Sequence, residues 1–243
     1  VGASDDAALK TMIERKRESG VFLSVFGFGQ GNYNDQLMQA LAQNGNGVAA
    51  YIDTLNEARK VLVKEAGATL VTVAKDVKFQ VAFDTDKVES YRLIGYKNRR
   101  LAARDFDDDT KDAGELGAGH SVTALYEVRL KSSSPEQSLL SLVKESSLAT
   151  VKLRYKTPDS DKSELLEVPA NGKTKALSQS SRDHQWAAAV VGYGMLLEGD
   201  IRPTEMPFDK LYALMKPTMA AEPDAYQSEF YSMVKKTEPL IKG

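Results

Sequence analysis

The hydrophobic period of this chain changes near residue 67, and that change limits the folds open to it. Before it, apolar residues come in a short, nearly continuous run, Val21-Phe22-Leu23-Ser24-Val25-Phe26, ended by glycines. Such a run reads as a strand buried on both faces, as in a parallel sheet. A helix precedes it: Ser4 is placed to cap it, Asp5 and Asp6 lie at the positive end of its dipole, Lys16 and Arg17 near the negative end, and Gly20 stops it. Leu9, Met12 and Ile13 make its apolar face. A second helix is predicted from Asp35 to Gln43 through Leu37, Met38 and Leu41. A second strand follows over Val48 to Ile52, then a third helix over Thr54 to Glu65, buried through Leu55, Ala58, Val61 and Leu62. The string is α-β-α-β-α with two strands only. Parallel sheets usually have several strands covered on both faces, so residues 1–66 read as the second half of an α/β domain whose other strands precede Val1.

From Ala68 the pattern alternates. Thr69–Ala74 and Val77–Phe83 are predicted strands, the latter with Val77, Phe79, Val81 and Phe83 on one face and Lys78 and Gln80 on the other. Further strands are predicted at Glu89–Ile94, Val122–Leu130, Leu148–Lys156 and Glu164–Val168. In Leu148–Lys156, Val151, Leu153 and Tyr155 alternate with Lys152, Arg154 and Lys156. Strands in series without long intervening helices indicate an antiparallel β-sandwich-like domain over 67–178. Tyr96–Gly119 reads as a long surface connection, and Ser132–Ser147 as a polar excursion with room for a short helix. Residues 179–243 are helical again, with Trp186, Ala189, Val190, Tyr193 and Leu197 at helical spacing in Ser181–Glu198, then Phe208–Met215 and Asp224–Lys236. These helices are expected to pack on the β domain. The fold class expected is α+β: a partial Rossmann-like α/β unit, an antiparallel β-sandwich-like domain, and C-terminal helices.

Charge and composition narrow the function. With 32 Lys and Arg against 34 Asp and Glu, the formal charge is −2, which argues against nucleic acid as the main partner. The absence of cysteine excludes a disulfide framework, thiolate zinc sites and a cysteine nucleophile. The longest apolar stretch, Trp186 to Leu197, is shorter than the roughly 20 residues a membrane helix needs and is broken by Gly192 and Gly194.

The motifs are few. Asp105-Phe106-Asp107-Asp108-Asp109-Thr110-Lys111-Asp112 alternates carboxylates as a calcium loop begins, so Asp105, Asp107 and Asp109 are the candidate metal ligands. The positions that should hold the turn glycine and the bidentate glutamate hold Thr110 and Leu116 instead. The preferred reading is a charge-paired loop, with Arg99, Arg100 and Arg104 set against Asp108 and Asp112, and these five residues form a candidate interaction loop. Gly27-Phe28-Gly29-Gln30-Gly31-Asn32 follows a strand, yet Asn32 stands where a dinucleotide fingerprint needs its third glycine, so it reads as a strand-to-helix turn. Asn171-Gly172-Lys173-Thr174 reads as a loop turn, because Glu167 occupies the earlier P-loop glycine position. His120 and Ser121 lie side by side in Gly119-His120-Ser121-Val122-Thr123, but strand neighbours point to opposite faces, which is wrong for a nucleophile and its base. The second histidine, His184, is distant in sequence, and structural roles are expected for both.

Gly20 to Gly29, then Tyr51-Ile52-Asp53-Thr54 leading into Glu57-Ala58-Arg59-Lys60-Val61-Leu62, resemble the C-terminal half of a von Willebrand factor type A (VWA) domain, specifically that of bacterial YfbK-like proteins. Tyr91-Arg92-Leu93-Ile94-Gly95-Tyr96, Asp105-Phe106, Asp108 to Glu115 and Gly117 to Glu127 are similar to the region that follows in that family. Ala187 to Val190, Gly194 to Leu197 and the helix with Tyr226, Glu229 and Phe230 resemble its C-terminal domain. The resemblance implies a divalent cation, Mg or Ca, held in the intact parent protein by a D-x-S-x-S motif with a later threonine and aspartate. No D-x-S-x-S occurs in this sequence, so no ligand is carried onto any residue here. It also implies an exported protein, periplasmic or lipid-anchored through an N-terminus not in this chain, that binds a protein ligand. The expected function is thus a non-enzymatic interaction or scaffold module. The alternative is a hydrolase using His120, Ser121 and the acids of 105–112. Homo-oligomerisation through the exposed half-sheet is a third expectation.

Overall fold

The computed structural model describes residues 6–29, 33–96, 101–111, 113–131, 147–171, 175–202, 204–219 and 225–242. The chain forms two compact units. One takes residues 1–84, 98–122 and 149–170, the other 85–97, 123–148 and 171–243.

The first unit begins with α1 (Asp6–Glu18). Ser4, expected to cap it, lies outside the described residues. Its stop is as expected: Gly20 has φ +81°, its N–H donates to Arg17 O at 2.8 Å and the next N–H, of Val21, reaches back to Lys16 O at 3.0 Å. That is a Schellman stop, which needs the left-handed conformation glycine adopts without strain. Of the expected apolar face, Ile13 is buried while Met12 is exposed. β1 (Val25–Phe28) pairs in parallel with β2 (Ala49–Ile52). The run that reads as a buried strand from Val21 is therefore strand only from Val25, because the pairing with Ala49 sets its start; Val21 and Phe22 are exposed. Between them, α2 (Asp35–Asn44) is capped by the Asn34 side chain, which accepts from Leu37 N.

The third predicted helix is α3 (Leu55–Arg59) and a π-helical stretch Lys60–Lys64; α4 (Ala66–Leu70) follows it and takes Thr69 and Leu70 from the predicted strand. Thr54 caps α3 by accepting from Glu57 N. A π segment holds more residues per turn and slips the side-chain stripe. Here Val61 is buried while Leu55 and Leu62, expected beside it, face water.

The antiparallel part of this unit is a four-stranded sheet in the order β5-β3-β7-β8, with β3 (Thr72–Phe83), β5 (Gly114–Gly117), β7 (Ser147–Lys156) and β8 (Glu164–Asn171). The two strands predicted at 69–83 are one, bent by an irregularity between Lys75 and Lys78. β5 lies inside the stretch read as a connection, because Gly114-Glu115-Leu116-Gly117 has no alternation to reveal it. Pro169 suits the edge strand β8, where a missing N–H costs nothing.

In the second unit, β4 (Val88–Leu93) pairs with β6 (Tyr126–Leu130). These two strands group with the C-terminal helices, whereas sequence order had placed them in one sandwich-like domain with β3 and β7. The predicted strand over Val122–Leu130 shortens to its second half. The 132–146 excursion lies outside the described residues. α5 (Arg182–Glu198) is capped by Ser181, which accepts from His184 N. It packs with α6 (Phe208–Met219) and α7 (Ala225–Lys242) around Ala189, Tyr193, Leu196, Phe208, Leu211, Met215 and Val234. Leu196 fills the place expected for Leu197, which is exposed.

Candidate functional site

The site grows from an electrostatic conflict written into the first unit's sheet. Register places Lys78 directly opposite Arg154, Lys75 opposite Lys156, and Gln80 opposite Lys152. Directly paired residues share a face, and like charges there repel. The other face of the same strands pairs Phe79 with Leu153 and Val81 with Val151. Burial then inverts what the alternation suggests: Lys78 is 3% exposed and Phe79 is 64% exposed.

What covers the cationic face is the acidic stretch read from sequence as a calcium-like loop. Lys78 Nζ donates to the carbonyl oxygens of Asp105, at 3.4 Å, and Asp108. Arg154 donates to Asp107 Oδ1 at 2.6 Å and to Ser163 Oγ at 2.9 Å. Its guanidinium also lies 5.5 Å from the ring centroid of Phe106, and Phe106 is buried as the apolar anchor of the loop. Lys156 Nζ donates to Asp109 O at 2.9 Å and to Asp76 Oδ2 at 2.7 Å.

Asp76 closes the far end. It sits in the irregularity of β3 with φ +51°, a left-handed conformation that aspartate tolerates better than most residues. Its second oxygen accepts from Ala113 N at 3.0 Å. Asp108 turns back on its own loop, accepting from Thr110 N at 2.9 Å and Thr110 Oγ1 at 2.6 Å. Those two hydrogen bonds hold the Asp108 carboxyl below its ordinary range. Hydrogen bonding from Ser163 does the same for Asp109, while the bond to Asp76 raises Lys156 above the usual ammonium value. Two polar atoms in the cluster, Asp109 Oδ1 and Arg154 Nε, are buried without a hydrogen-bond partner.

The candidate ligands therefore do not converge. Asp107 faces Arg154, Asp109 accepts from Ser163 N, and Asp105 lies 3.7 Å from Arg104. Among the described residues no group of three or more histidine or acidic side chains is placed to hold a metal ion. Lysine ammonium groups hold the backbone carbonyls of Asp105, Asp108 and Asp109. In the candidate interaction loop, Arg104 is largely exposed and Asp108 is bound to Thr110; Arg99, Arg100 and Asp112 lie outside the described residues. Arg92 pairs with Glu127 at 2.8 Å across β4 and β6.

His120 and Ser121 are consecutive exposed residues after β5. His120 N donates to Gly117 O at 3.0 Å. Among the described residues no hydrogen bond joins the His120 side chain to Ser121. His184 is exposed in the first turn of α5. At the glycine-rich turn, a Cβ on Gly27 would fall 2.6 Å from the Tyr33 ring, so that glycine makes room for an aromatic; residues 30–32 lie outside the described set, as do 172–174 of the other glycine turn.

Lys78, Arg154, Lys156, Asp76 and Phe106 are the residues that sequence reasoning passed over. Their signal was present: two strands each carrying cations on one alternating face, with an acidic run between them in sequence.

These features define an α+β protein with a small parallel sheet, antiparallel sheets and an acidic loop held on a cationic sheet face. Residues 68–240 match the family described as "Uncharacterized protein YfbK, C-terminal", and the chain belongs to the YfbK family. It is 37% identical over 244 residues to "Uncharacterized protein YfbK" of Escherichia coli (strain K12), covering 97% of this chain and 42% of that protein. Among solved structures, the crystal structure of the ArnB paralog VWA2 from Sulfolobus acidocaldarius matches with a TM-score of 0.34 and 18% identity, over 92% of this chain and 54% of that one. No helix among the described residues is long and apolar enough to cross a membrane.

Proposed function

We propose that this chain is a non-enzymatic interaction or scaffold portion of an extracytoplasmic VWA protein, and that the whole protein binds a protein ligand through a divalent cation, Mg or Ca. The observation that carries the non-enzymatic reading is how the charged cluster is used. Its lysines and arginine hold backbone carbonyls and carboxylates of the chain itself, an arrangement that fixes a loop and offers no activated nucleophile. No residue of this sequence is assigned to the cation, since the D-x-S-x-S pattern is absent from it. Exposed Phe28, Leu55 and Val63 on the parallel unit supply the apolar surface an interaction module needs, and through it copies would also associate.

Affinity capture with the full-length protein tests this. One specific protein retained with Mg or Ca and released by chelator is the expected result. Retention of none, or a hydrolytic activity of this chain abolished by His120→Ala, would overturn it. Light scattering checks self-association, and a monodisperse monomer at all concentrations would remove that part.

A further inference from the structure

We propose that residues 101–111 are an autoinhibitory strap, the intramolecular occupant of a cationic sheet face that takes acidic, phenylalanine-containing peptides from a partner. This rests on the interaction-module reading above and names the surface and the chemistry of what it would bind.

The argument starts from the face. Lys78 opposite Arg154 and Lys75 opposite Lys156 make a row of cations that repel one another unless something anionic lies over them. Asp76 of β3 itself pairs with Lys156, and a segment from outside the sheet supplies the rest, the Asp107 carboxylate to Arg154 and backbone carbonyls to Lys78 and Lys156. Arg104-Asp105-Phe106-Asp107-Asp108-Asp109 has one short 3-10 turn, Ala103–Asp105, and no longer regular structure. Its hold on the face is one buried aromatic plus charge-assisted hydrogen bonds, the same two devices by which a groove captures an acidic peptide with an aromatic anchor.

The fit is also incomplete. Asp109 Oδ1 and Arg154 Nε are both buried without partners, and the Asp107 side chain is 78% exposed while bonded to Arg154. Orphaned polar atoms lower the cost of letting the strap go, because release returns them to water. A segment with one buried aromatic and a single short 3-10 turn is the kind that opens locally while the sheet beneath stays folded. Once it opens, Lys78 and Arg154 lose their strap partners while Lys156 keeps Asp76, and an acidic peptide with phenylalanine meets the requirement the strap met.

The test uses the full chain and a labelled peptide copying Arg104 to Lys111, with fluorescence anisotropy for binding and hydrogen exchange for the strap. Asp107→Asn, at an exposed position, and Phe106→Leu weaken the strap without emptying the core. Expected: strap amides in the double variant lose protection while β3 and β7 keep theirs. The variant then binds the peptide at least about ten-fold more tightly than the native chain, and a peptide with alanine for phenylalanine does not bind. If the strap and the sheet lose protection together, or the opened variant binds the alanine or a scrambled peptide equally well, or binds none, the proposal is overturned. Failure here leaves the chelator-dependent capture by the full-length protein unaffected, so the two readings are separable.

Discussion

Replacing Lys78 by methionine isolates the charge that holds the acidic loop, because the two side chains have similar stems and only the ammonium is lost. Lys78 is 3% exposed and donates to the carbonyls of Asp105 and Asp108. Hydrogen bonds from a charged donor contribute about 1.5–3 kcal/mol each, and a buried carbonyl left without a donor costs about 1–3 kcal/mol. Against this, removing a buried ammonium recovers a desolvation penalty of several kcal/mol. Methionine also fills the volume. The balance is a loss of about 2–4 kcal/mol for the first unit, near the lower end of the range for breaking a buried ion contact. With a urea m-value of about 2 kcal/mol/M, the midpoint of the transition falls by about 1–2 M. Urea titration followed by far-UV circular dichroism measures this, with Arg104→Met, at a largely exposed position, as the control expected to move stability by less than about 0.5 kcal/mol. If Lys78→Met costs no more than Arg104→Met, the loop is not held through that ammonium, and the account of the cationic face fails with it.

Phe106→Ala removes the buried anchor of the loop and should cost about 3 kcal/mol or more, read in the same urea titration; a loss under about 1 kcal/mol would show that the ring is not packed. In the second unit, Leu211→Ala, at a position with 0% exposure in the helical core, should lower stability by about 2–5 kcal/mol and leave exchange of the β3 and β7 amides unchanged. The Asp108 and Asp109 carboxyls titrate below their unfolded value of 3.8, so their contribution is complete above that pH and is lost as pH falls through the lower folded values. Acid unfolding of Asp108→Asn should accordingly be less steep below pH 3.8 than that of the native chain. For Lys156, raised above 10.5, the contribution holds below that pH and is lost above it, which Lys156→Met should abolish in alkaline unfolding.

The stop of the first helix, the start of the helix at Ser181 and the change of period could be read directly from the sequence. Gly20 ends α1 because the left-handed position after Arg17 and Lys16 needs it, the helix predicted to start at Ser181 starts there, where the hydroxyl accepts from His184 N, and the shift from continuous to alternating apolar runs separates the parallel pair from the antiparallel strands. These are local effects, decided within a few residues. The alternation of Leu148–Lys156 likewise gave the two faces of β7. Local pattern could not say which face would be covered. Lys78 is buried and Phe79 exposed because register sets cations opposite one another and a stretch more than twenty residues along the chain returns to bind them through the Asp107 carboxylate and backbone carbonyls. The same long-range pairing made β5 out of a segment with no strand signal and turned a calcium-like run into a clasped loop. Sequence thus determined the elements that carry a local period, and their chemistry. Only the tertiary structure decided which charges meet, since that depends on strand register and loop return, which no local period records.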